Sequence, residues 1–151
     1  MASFSVTIEG LDQLKEALAK SPETVVTRLH QAVVDSAAKT VEIARRSGEL
    51  PWKTGRLNAS FTLKDLTTLQ ATVGPTVNYA VYVHEGTAPH TIYPVNGKAL
   101  FWPGAAHPVK KVNHPGNRAN PFMPRILDAS KGDILSIFSK AMDQITSDIA
   151  S

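Results

Sequence analysis

Apolar and polar positions alternate at the start of the chain. Phe4, Val6 and Ile8 are interleaved with Ser3, Ser5 and Thr7, the period of a half-buried strand, and Gly10 ends the run. The period then changes: Leu11, Leu14, Ala17 and Leu18 fit a short helix. Ser21-Pro22 reads as a second helix start, a hydroxyl cap followed by proline at the first helical position. From there Val25, Val26, Leu29, Ala32, Val33, Ser36, Ala37, Thr40, Val41 and Ala44 recur at spacings of three and four. They predict one apolar face of a long helix ending near Gly48, with Arg45 and Arg46 at the negative end of its dipole. The face is rich in Ala, Ser and Val, so a sheet or a second helix is expected to pack closely on it.

After the Pro51-Trp52 turn, two β-prone segments follow. Leu57, Phe61 and Leu63 mark the first, residues 57–64; Leu69, Ala71 and Val73 mark the second, residues 67–74. They read as an antiparallel hairpin with its loop near Asp65–Thr67. Residues 78–84 fit a strand through Tyr79, Val81 and Val83, or a short helix closed by Gly86. Residues 91–95 and 99–102 read as a hairpin turned by Asn-Gly-Lys, and residues 109–112 as one further strand. From Phe122 the apolar spacing is helical again through Ile126, Leu127, Ile134, Leu135, Phe138, Met142, Ile145 and Ile149, with Gly132 as a point of interruption. Strands and helices in this order make an α+β chain. Its 151 residues are expected to form a single domain, residues 1–151, around one core.

Composition removes several kinds of chemistry. There is no cysteine, which excludes disulfides, thiolate metal sites and thiol catalysis. The first residues have neither the basic leader nor the apolar run of a signal peptide, and no stretch approaches the ~20 apolar residues of a bilayer span. The expectation is a soluble protein retained in the cytoplasm. Sixteen basic and thirteen acidic residues give +3, too mild for a dedicated nucleic-acid binder; Arg45-Arg46 and Lys110-Lys111 are merely pairs.

Residues 78–122 concentrate Gly, Pro, His and aromatic residues, and two uses of them compete. His84-Glu85 with His90 invites comparison with a helical metalloprotease motif, but the histidines are six apart and Gly86 and Pro89 break the helix. A metal-dependent hydrolase or nuclease built on His84, Glu85, His90 and His114 is the alternative reading. No nucleophile elbow and no phosphate-binding loop occurs, so no catalytic residue and no cofactor is assigned. Tyr79, Tyr82, Tyr93, Phe101 and Trp102 would suit base stacking, a third reading, but few Lys or Arg are interleaved with them up to Phe101. A protein interface suits them better. The candidate contact residues are Tyr82, His84, Glu85, Thr87, His90, Tyr93, Phe101, Trp102, His114, Arg118 and Phe122.

Four motifs in order bear a family likeness. They are T-G-R-L-N-A-S at 54–60, V-G-P-T-V-N-Y-A-V-Y-V-H-E-G-T at 73–87, K-A-L-F-W at 98–102 and A-N-P-F-M-P-R at 119–125. Together they resemble the small tail-completion (minor tail or neck) proteins of long-tailed bacteriophages and prophages. Those show a Thr-Gly-Arg/Ala-Leu turn after a long helix, then Tyr-Ala-x-Tyr-Val-x-x-Gly-Thr, then a Pro-Phe turn opening the last helix. His84-Glu85 departs from the acidic-then-aromatic pair expected before Gly86-Thr87, which bears on partner choice. The resemblance implies an antiparallel sheet packed by a long N-terminal and a C-terminal helix, with an extended Gly/Pro-rich loop or hairpin. It favours a short helix at 78–84. It also implies a homo-oligomeric ring, commonly a hexamer, joining head connector and tail tube in the virion after assembly in the host cytoplasm. DNA would pass through that ring, touching it non-specifically, with neither membrane nor small-molecule substrate involved.

Overall fold

The computed structural model describes residues 23–150. The expected opening strand, the short helix after it and the Ser21-Pro22 start lie outside the described residues. The chain forms two compact units. Of the described residues, one comprises 23–80 together with 122–150; the other is Val81–Pro121. The fold is α+β.

In the first unit the long helix α1 spans Glu23–Arg46. Its buried positions, Val25, Leu29, Ala32, Val33, Ser36, Ala37, Thr40 and Ala44, follow the spacing read from the sequence. Glu23 in the first turn and Arg45 and Arg46 in the last complement the helix dipole. Gly48, at φ 75°, lies just beyond the end. The small side chains let other elements close in, and α1 packs against both the final helix and the first sheet. Thr40 Oγ1 donates to Ser36 O at 2.8 Å, which keeps a buried hydroxyl satisfied inside the helix.

The chain turns through Trp52, whose ring lies over Gly55. A Cβ at residue 55 would stand 3.0 Å from Trp52 Cη2, and Gly55 holds φ 73°. Residues Arg56–Ser60 then form a helical turn, α2. This corrects the expectation of strand from residue 57. Leu57 is buried from a helix, and Asn58 Nδ2 donates to Arg45 O at 2.8 Å, tying the turn to the end of α1. The strands are β1, Phe61–Leu66, and β2, Ala71–Pro75, paired antiparallel with a register shift between Leu63 and Asp65. The loop closes with Thr67 N donating to Gln70 O at 2.8 Å, later in the chain than expected. Phe61 is fully buried while Leu63 is partly exposed, because only the start of β1 lies in the core.

Helix α3, Ala80–Glu85, settles the ambiguous segment as a helix, closed by Gly86 at φ 79°. The final helix α4 spans Phe122–Ala150 and runs through Gly132 without interruption. Pro124 is tolerated because first-turn amides have no partner inside the helix. Ser130 Oγ donates to Ile126 O at 2.7 Å. Phe61, Phe122, Leu29 and Ile126 are the largest fully buried apolar side chains. Each contributes about 1.5–3 kcal/mol by leaving water.

Two polar links bind distant parts of this unit. Arg45 donates from Nε (3.1 Å) and Nη2 (2.8 Å) to Phe61 O, joining α1 to β1. Arg125 pairs with the Glu49 carboxylate, and its Nη2 donates to Glu49 O at 3.3 Å. Within the described residues no helix is long and apolar enough to cross a membrane.

Candidate functional site

The second unit is built on a long antiparallel hairpin. Its strands are β3, His90–Ile92, and β4, Val112–His114, with His90 opposite His114, Thr91 opposite Asn113 and Ile92 opposite Val112. The bridge between Thr87 and Asn117 continues the same register toward the base. Thr87 N donates to Asn117 O at 2.9 Å, and Asn117 N to Thr87 O at 3.1 Å. At the far end Leu100 and Val109 exchange bonds of 2.7 and 3.0 Å.

This topology corrects the local hairpin expected at Asn-Gly-Lys. Residues 91–95 do not pair with 99–102. Instead residues 93–99 form a wide excursion on the outgoing side, opposite only Lys110 and Lys111 on the return. Pro94 is one reason, since it has no amide to donate to a ladder. The expected strand at 109–112 is split between the Val109 bridge and the start of β4.

Glycine makes the base close. A Cβ on Gly116, at φ 83°, would lie 2.1 Å from Thr87 O; one on Gly86 would lie 2.5 Å from Asn117 O. Asn120 N donates to Val83 O and His84 O, fastening the return strand to α3.

His90 and His114 are engaged in this framework. The rings of His90 and His114 stack with centroids 5.1 Å apart. His90 Nδ1 lies 3.0 Å from Ala88 O; a carbonyl only accepts, so Nδ1 carries the proton. His114 Nδ1 accepts from Gly116 N at 3.0 Å, which leaves its proton on Nε2. His114 therefore offers a metal no lone pair unless it gives up the Gly116 bond. Among the described residues no group of three or more His, Asp or Glu side chains stands close enough to hold a metal ion. His84 is half-buried on α3, and Glu85 beside it is exposed. Thr87 serves the base of the hairpin, its Oγ1 accepting from Asn117 N at 2.9 Å.

The aromatic side chains behave differently. Tyr82, Tyr93, Phe101 and Trp102 are 59%, 62%, 66% and 46% exposed, and Ile92 and Val95 are exposed near them. Arg118 is exposed on the return strand. Phe122 departs from this set: it is fully buried in the first unit, so it is a core residue and not a contact residue.

The sequence reading missed a charge cluster. Lys98, Lys110, Lys111 and Arg118 face Glu85 as the only acid between Val81 and Pro121, so this unit carries +3, the whole of the chain's net charge. Lys98 lies two residues before the Leu100–Val109 bridge, and Lys110 and Lys111 follow it directly. The bridge thus draws Lys98 toward the Lys110-Lys111 pair, which begins twelve residues later in sequence, next to Phe101 and Trp102. Only the long-range pairing reveals it. Compared with models of known protein families, with curated proteins and with solved structures, the chain has no match.

Proposed function

We propose that the chain is a structural virion protein of the head–tail junction of a long-tailed phage or prophage, of the tail-completion type, that assembles as a homo-oligomeric ring. The ring, a hexamer in this reading, joins the tail tube to the head connector and lets DNA pass. The chain then catalyses no reaction, and its work is shape and adhesion.

The observation that carries the reading is the hairpin of the second unit. Its backbone is fastened at the base by Thr87–Asn117, and its three aromatic rings, Tyr93, Phe101 and Trp102, are exposed, as is Tyr82 on α3 before it. Exposed Tyr, Phe and Trp on a prepared backbone are the anchors of protein interfaces, where little entropy is lost on docking. The ordered motifs of the family resemblance supply the setting. In a ring each subunit meets its two neighbours through unlike surfaces, so one hairpin per subunit suffices.

Two measurements test this. The native mass of the purified protein, alone and with tail tube protein, is expected to show a closed oligomer. Particles from a phage or prophage deleted for this gene are expected to accumulate heads and tails unjoined. Normal, infectious, tailed particles from the deletion would rule the reading out.

A further inference from the structure

We infer that the far end of the hairpin is a nucleic-acid contact, with Lys98, Lys110 and Lys111 placed on DNA phosphates and Phe101 and Trp102 beside them. The inference takes its setting from the junction reading, where DNA passes the ring. Its grounds are separate.

First, charge is segregated. The rest of the chain is balanced, and the excess of three positive charges sits on Val81–Pro121. Second, none of Lys98, Lys110 and Lys111 forms an ion pair among the described residues, so their charge is not neutralised within the unit. All three lysines are exposed. Third, the Leu100–Val109 bridge closes the hairpin between them: Lys98 stands two residues before Leu100, and Lys110 and Lys111 directly follow Val109, so like charges lie on both sides of one closure. A surface with that property favours a polyanion, and each phosphate it neutralises releases condensed counterions. Fourth, the adjacent aromatic rings offer flat faces to bases wherever a strand is open. Nothing in the cluster has the paired, planar donors of a base-reading site, so the contact is independent of sequence.

The consequence is a division of labour within the second unit. Tyr82, Tyr93 and Arg118 remain candidates for a neighbouring subunit. Phe101 and Trp102 belong with the lysines on the DNA side.

The test is a titration of the full-length protein against a labelled random duplex and a single strand of equal length, followed by fluorescence anisotropy at several salt concentrations. The variant is K98Q/K110Q/K111Q, checked for an unchanged melting temperature. The control is K53Q/K131Q/K140Q, which removes three exposed charges from the first unit. Each phosphate contact contributes about 0.9 to the slope of log affinity against log salt, so the hairpin variant is expected to lose roughly 2–3 of slope and at least about tenfold in affinity at low salt. The control is expected to keep most of both. Tighter binding of the single strand, lost in F101A/W102A, assigns the rings to bases; equal binding leaves the lysines as the contact. Equal losses in variant and control, or no binding by the wild type, overturn the inference. If the hairpin variant keeps its DNA affinity and changes the oligomer mass, the lysines face another subunit; the inference falls and the junction reading stands. Lysine-dependent DNA binding by a chain that never assembles does the reverse.

Discussion

Thr87 and Asn117 are joined by two reciprocal backbone bonds and by a third from Asn117 N to Thr87 Oγ1, so the two ends of the hairpin are clamped thirty residues apart in sequence. That clamp exists because the residues beside it have no side chains. Gly86 and Gly116 both hold left-handed backbone, and a methyl group on either would meet main-chain atoms that cannot turn aside.

Gly86→Ala and Gly116→Ala are therefore expected to open the hairpin base. The left-handed conformation alone costs roughly 1–2 kcal/mol, and the collision adds to it. Amide exchange at Thr87 and Asn117 should accelerate, and proteases should cut within 81–121, while the helical circular dichroism of α1 and α4 stays. Gly104→Ala is the comparison. Gly104 also has positive φ but nothing within 4 Å of its added Cβ, so only the conformational cost applies. Equal behaviour of all three would mean that the close approach is not what matters.

Arg45 sets how β1 meets α1. Its fork directs two nitrogens at Phe61 O, and its own carbonyl accepts from Asn58. Arg45→Lys keeps the charge but not the fork, and is expected to cost about 1–2 kcal/mol in denaturant unfolding. Glu49→Gln at the Arg125 pair should cost less than about 1 kcal/mol, because that pair is a third or more exposed. A reversed order would show that the hairpin β1–β2 is held by packing alone.

How much of this was legible in the sequence depends on range. The face of α1 could be read position by position, because helical burial repeats within four residues; α4 was equally clear, and Gly132 was harmless inside it. Leu57 misled: its apolar side chain fits a strand pattern, yet Gly55 and the Asn58–Arg45 bond hold it in a helical turn. The β3–β4 pairing was hidden. Its strands are short, they pair across twenty or more residues, and the Asn-Gly-Lys signal lies in the excursion instead of the turn. The lysine cluster went unseen for the same reason.

The two phenylalanines Phe101 and Phe122 are both flanked by proline within two residues, and sequence placed both among the contact residues. Their surroundings separate them completely: Phe122 is fully buried and Phe101 two-thirds exposed. Phe122→Ala removes a core ring and leaves a cavity, at about 3–5 kcal/mol. For a chain of this size that lowers the melting temperature by roughly 6–20 °C. Phe101→Ala removes no buried contact, so stability should stay within about 0.5 kcal/mol of the wild type. Its effect should instead be on binding, as a weaker signal in the DNA titration or a changed assembly mass. Thermal melts and titrations of the two single variants give a crossed result if this is right: one loses stability, the other loses a partner. A Phe101→Ala protein that melts as early as Phe122→Ala would place that ring in the hairpin's own packing and remove it from any surface function.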